Sequence, residues 1–208
     1  MRGSWLLALV IVSSGCGSSA DTEPATPAEV ALAEGERKTS TDPAVNPDAA
    51  AMAEFKAKVE EYAKLHRRLA RGDARLKETD DPAEINTAME TLAAKVQAAR
   101  RDARHGDIFT PRVRPAFRRL LAPELKGEDG ADAKVVLRDD APAPGTVPFK
   151  VNAPYPDDQP RPTVPVNLLL TLPTLPEPLE YRIVGQHLLL LDTDADLIVD
   201  YILNAIVT

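Results

Sequence analysis

A chain of 208 residues with net charge −7, 19 prolines and 4% aromatic side chains has room for one domain or two small ones around a modest aliphatic core. Its one cysteine excludes an internal disulfide, and its length excludes a large multidomain enzyme. The charge is unevenly placed: between Glu54 and Arg119 there are 16 Lys/Arg against 11 Asp/Glu, so a basic segment sits inside an acidic chain.

Residues 1–15 read as a secretory signal peptide. Arg2 supplies the positive start, Trp5 to Val12 (WLLALVIV) the apolar run, and Ser13, Ser14 and Gly15 the small residues a signal peptidase accepts. Such a run is too short to cross roughly 30 Å of hydrocarbon. Cys16 follows where the apolar run ends, and Ser-Ser-Gly-Cys resembles a bacterial lipobox, with Ser13 standing where Leu, Val or Ala is usual. The expectation is a fatty-acylated Cys16 and a chain exported to the cell envelope and held at a membrane by an N-terminal lipid anchor. Gly17-Ser18 lacks the aspartate that retains lipoproteins at the inner membrane, so in a Gram-negative cell the periplasmic face of the outer membrane is favoured.

Residues 16–48 are Ser, Thr, Pro, Ala and acids with almost no large apolar side chain, and read as a disordered tether. Residues 49–125 are the helical region. Phe55, Val59, Tyr62, Leu65 and Leu69 share one helix face, with a helix start near Pro47-Asp48 and closure at Thr79 to Pro82. Asp81, Pro82 and Glu84 form a helix start, and Ile85, Met89, Leu92, Val96 and Ala99 give a second amphipathic stripe running to about Arg104. The two make an antiparallel helical hairpin. A short third helix opens at Thr110-Pro111 and stops near Ala122-Pro123.

Residues 126–162 are rich in Gly, Asp and Pro and are expected to be loop with at most short extended pieces. Residues 163–208 form a small β-meander region packing on the helices. Within it Pro165 to Leu172 (PVNLLLTL) reads as a short helix or a buried strand. Leu179 to Val184, His187 to Leu191 and Leu197 to Leu203 read as three antiparallel strands, with Gly185-Gln186 as a tight turn. The fold class is α+β: an antiparallel helical hairpin, a short third helix and a C-terminal three-stranded antiparallel meander.

The run LEYRIVGQHLLLLDTDADLIVDYI (Leu179 to Ile202) resembles the C-terminal segment of a group of uncharacterised exported bacterial proteins, marked by Tyr-Arg-x-Val-Gly, Leu-x-Asp and Ile-Val-Asp. The likeness extends backward to about Phe55 and implies no activity. The hairpin alone is also similar to small periplasmic proteins of nickel and cobalt homeostasis, which implies at most a metal-stress role.

Chemistry-bearing motifs are scarce. No catalytic serine elbow, phosphate-binding loop or dinucleotide fingerprint occurs. His66, His105 and His187 lack zinc-type spacing, so no metal ligand set and no cofactor is expected; each reads as a solvated or capping residue, His66 beside Arg67 and Arg68 on the helix surface. Asp192, Asp194 and Asp196 open like a calcium loop, but Leu197 and Leu203 stand where the loop needs Gly and Glu, so turn chemistry explains them. The real concentration is basic. Arg67, Arg68, Arg71, Arg100, Arg101 and Arg104 form a candidate surface for an acidic envelope protein or polysaccharide, against the plainer reading of solvated helix faces with partners such as Glu60-Lys64. Without interleaved aromatics, nucleic acid is not expected. The reading is a cell-envelope lipoprotein that binds or scaffolds without catalysis. A metal-stress protein would bring His187 to the Asp192–Asp196 loop, and an enzyme of unrecognised type would gather His105, Asp107 and Asp192 in a pocket.

Overall fold

A computed structural model describes residues 46–206 apart from 77, 140, 144 and 146–148. The expected leader, Cys16 and nearly all of the tether lie outside the described residues. The architecture is α+β. In chain order come α1 (Pro47–Leu69), a 3-10 turn (Gly72–Ala74), α2 (Pro82–Ala99), α3 (Val113–Leu121), a second 3-10 turn (Pro123–Leu125), α4 (Gly127–Asp139), α5 (Val166–Thr171), β1 (Leu179–Val184), β2 (His187–Asp192) and β3 (Leu197–Ile202). Among the described residues no helix is long and apolar enough to cross a membrane.

Local chemistry starts the two long helices as expected. The Asn46 side chain accepts from Asp48 N–H, with Pro47 in the first turn; the Asp81 carboxylate accepts from Ala83 N–H at 2.9 Å, with Pro82 behind it. The second helix stops at Ala99, short of the expected Arg104. Arg100 leaves helical geometry there, and its side chain turns inward to Asn152 Oδ1 at 2.9 Å and Val199 O at 3.3 Å.

The sequence reading of 126–162 as loop is wrong over its first part, because Gly127 to Asp139 is helix α4. The prolines that forbid a helix begin only at Pro142, and Ala133 and Leu137, one turn apart, bury against the core. Gly130 lies where a Cβ would come within 2.3 Å of the Leu125 carbonyl carbon, so a side chain there would collide with the preceding 3-10 turn. Pro165 to Leu172 resolves as helix α5, capped by Pro165 rather than starting on it.

The sheet has strand order β1-β2-β3, fully antiparallel. Tyr181 pairs with Leu190 and Ile183 with Leu188 across β1 and β2, and Gly185 turns the chain with φ +59. Both faces of β2 are covered, which explains its unbroken Leu run. Leu188, Leu190, Ile183 and Val199 pack on the helical side, where Phe55 and Phe109 stack at 5.4 Å and Phe55 meets Phe117 edge-on at 4.7 Å. Leu189, Leu191 and Ile198 pack on the opposite side under Tyr155 and Phe149. The chain at 152–153 holds that second layer by pairing with β3, with Asn152 N–H donating to Ile198 O and Ile198 N–H to Ala153 O at 2.8 and 2.9 Å. Helical cover therefore comes from α3 as well as from the α1–α2 pair, and part of the expected loop serves as the lid of the other face.

Candidate functional site

Of the three polar residues buried among the described residues, His66 and Asp192 meet where α1 passes the end of β2. Asp192 closes β2 and is fully buried. Its Oδ1 accepts the backbone N–H groups of Asp194 and Ala195, both at 3.0 Å, which is the turn chemistry expected of this loop. Its Oδ2 accepts Tyr62 Oη–H at 2.6 Å and lies 2.7 Å from His66 Nδ1. The other ring nitrogen of His66 is 3.4 Å from Asp194 Oδ2. An imidazole with a carboxylate at each nitrogen is best served as the doubly protonated cation, since both nitrogens then donate. Burial opposes that charge, but the hydrogen bond to Asp192 and the charges of Asp192 and Asp194 outweigh it, so the His66 pKa is raised above its ordinary value. Burial, reinforced by Asp192, pushes the Tyr62 hydroxyl pKa far upward and keeps its proton in place. Burial also raises the Asp194 carboxyl, with His66 opposing.

Arg100 completes the layer. Its guanidinium lies 5.0 Å from the centre of the Tyr62 ring, and Asn152 Nδ2 donates back to the Arg100 carbonyl at 2.6 Å. Burial lowers its pKa, while Tyr62, Asp200, Asp107 and Asp192 hold the charge in place. Asp200 of β3, also fully buried, faces a different set of partners. Its Oδ2 accepts Ile108 and Phe109 N–H at 2.8 Å each, and its Oδ1 accepts Gly106 N–H at 2.9 Å and Tyr201 N–H at 2.8 Å. These bonds clamp the α2–α3 corner to the sheet.

This network is a set of clamps. His66 is only 4% exposed and both its nitrogens are taken, so it offers no free base to a substrate. The histidines stay apart. His105 does not end a helix; it stacks on Tyr201 at 4.2 Å with Nε2 3.0 Å from Tyr201 O. His187 opens β2, accepts Asn204 N–H on Nδ1 at 3.0 Å, and has its pKa lowered by burial. It therefore sits at the opposite end of the strand from Asp192, and the meeting with the Asp192–Asp196 loop that a metal-stress role calls for is made by His66 instead. Asp107 accepts Arg104 N–H at 2.8 Å and shares no hydrogen bond with Asp192 among the described residues. Asp196, with φ +49, binds Arg161 through both oxygens at 2.8 and 2.9 Å. Among the described residues no group of three or more His, Cys, Asp or Glu side chains is placed to hold a metal ion.

Two readings of single residues are corrected. His66 is not a solvated neighbour of Arg67 and Arg68 but part of the buried stripe Phe55, Val59, Tyr62, His66, whose 4-3-4 spacing was the available signal. Arg100 is not part of an outward basic surface, because its guanidinium is engaged by Asn152, Val199 and Tyr62. Of the remaining arginines, Arg67 pairs with Glu60 at 3.0 Å, displacing the expected Glu60-Lys64 pair, and Arg101 pairs with Asp102 at 3.4 Å. Arg68, Arg71 and Arg104 are exposed. Arg68 borders an open groove of about 640 Å³ beside α1, where Lys58, Lys64, Tyr62, Leu65 and Ile108 also line the wall and Glu61 and Asp107 supply the acids. Among the described residues Lys58, Lys64 and Arg68 form no ion pair. Comparison of the chain with protein-family models, with curated proteins and with solved structures gives no match.

Proposed function

We propose that this is a cell-envelope lipoprotein, anchored through Cys16, that works by holding a carboxylate-rich envelope partner and carries out no catalysis. The observation behind this reading is the groove along α1. Lys58, Lys64 and Arg68, which form no ion pair among the described residues, line one wall of it, so an acidic polymer laid along α1 would meet three cations together. The histidine network supports it from the other side, because its ring nitrogens serve the fold.

The test is capture from envelope extract with the full chain and with the triple variant Lys58→Gln, Lys64→Gln, Arg68→Gln. The variant is expected to lose the partner, and the wild-type complex to weaken as salt rises, since the Debye length falls from about 10 Å at 0.1 M to about 3 Å at 1 M. Prior digestion of the extract with protease or with glycosidase separates an acidic protein from an acidic polysaccharide. Retention of the same partners by both chains would reject the groove. Palmitate labelling of wild type against Cys16→Ser tests the anchor independently, and equal labelling would reject it.

A further inference from the structure

We infer that α5 is a membrane-contact element, whose outward face seats in the headgroup–acyl boundary of a phospholipid surface. The inference rests on the anchored reading above and extends it from the N-terminal segment to the folded part. It begins from a mismatch between α5 and water. Leu168 on its inner side is fully buried and Leu172 at its end is 7% exposed, while Val166, Leu169 and Leu170 are 71, 48 and 80% exposed. At about 100° per residue those three share the outer side, so the helix is apolar on both sides. Its two polar side chains turn their donors back to the protein: Asn167 Nδ2 to Glu124 O at 3.1 Å, and Thr171 Oγ1 to Leu168 O at 2.8 Å. Val166 to Thr171 contains no charge. Beside it, Val164, Pro173 and Leu175 extend the apolar surface into a groove whose far side, toward β1, carries the Glu180–Arg182 ion pair.

Size selects the occupant. Six residues make a helix about 9 Å long, and its three outward side chains cannot cover the roughly 1,000 Å² of buried surface that a stable dimer needs. A short apolar face is instead the scale of an interfacial contact, a few side chains entering the outer part of a leaflet. Position agrees with this. The chain enters the described fold at Asn46, and Asp48 pairs with Arg119 in the last turn of α3. α3 runs on into the Pro123–Leu125 turn, and Asn167 ties α5 to that turn. The entry point of the N-terminal segment and the exposed leucines are thus joined to the same end of α3.

The test is a tryptophan at the helix. The sequence contains one Trp, at position 5, so the full chain carrying Trp5→Phe and Leu170→Trp reports from α5 alone. It is placed on phosphatidylcholine vesicles, where the leader or the lipid holds the chain in either case. The expected result is a blue-shifted emission quenched at least twofold by vesicles with brominated acyl chains. The control Trp5→Phe with Glu84→Trp, at an exposed site on α2, stays unquenched. Unquenched emission from position 170 overturns the inference. A blue shift without bromolipid quenching, growing with protein concentration, assigns the face to a second copy and overturns it as well. Failure of the anchor would appear separately, as unchanged palmitate labelling in Cys16→Ser, while the helix still reports its own contact.

Discussion

Asp192 and Asp200 are both fully buried carboxylates of one small sheet, yet they hold the molecule in different ways. Asp200 accepts four backbone N–H groups, three of them from the α2–α3 corner. Asp192 accepts two backbone N–H groups of its own turn and spends its other oxygen on Tyr62 and His66 of α1. The first contact depends on backbone geometry alone. The second depends on two side chains that carry protons of their own. One aspartate therefore acts as a fixed latch, and the other makes the docking of α1 sensitive to a single histidine.

Exchanging the latch should have the largest effect. In Asp200→Asn one oxygen becomes an amide NH2 pointed at two N–H donors, and the expected loss is about 3 kcal/mol or more. Urea unfolding measures it as a midpoint lowered by about 1–3 M at an ordinary slope, and the Ile108 and Phe109 amides should lose exchange protection. A loss below about 1 kcal/mol would break the contrast. Tyr62→Phe comes next: it removes one charge-assisted donor from Asp192 but leaves His66 in place, so about 2 kcal/mol is expected. The smallest effect is the dependence on pH. Folded His66 binds its proton more tightly than an unfolded-chain histidine of ordinary value 6.5. Its contribution is complete below that value and drains away as pH climbs through the higher folded one. The stability gap between wild type and His66→Gln should therefore narrow as pH rises above the ordinary histidine value of 6.5. A widening gap would show that His66 is held neutral.

What the sequence revealed followed the physics of neighbours. Pro47-Asp48, Asp81-Pro82 and Gly185 act on the backbone within a few residues, and each produced the helix start or turn read from it. The three strands could be read because apolar runs were separated by turn residues. α4 is masked in the sequence because its proline-free stretch carries Gly127 and Gly130 and runs directly into the proline-rich segment that begins at Pro142. The buried network was hidden for another reason: Tyr62 and Asp192 are 130 residues apart, and nothing local to either names the other. His66 was the exception. Its place on the Phe55–Val59–Tyr62 stripe was visible, but the charges of Arg67 and Arg68 beside it argued for solvent.

The Asp200 latch also sets an order of events. The amides it captures at Ile108 and Phe109 are made 92 and 91 residues before it. Synthesis proceeds from the N-terminus, so until β3 is made the Gly106, Ile108 and Phe109 amides lack the carboxylate that holds them. For that interval the nascent helical half is a greasy, unfinished surface, the kind of substrate a holding chaperone recognises. Closure of that corner waits on the strand that carries Asp200.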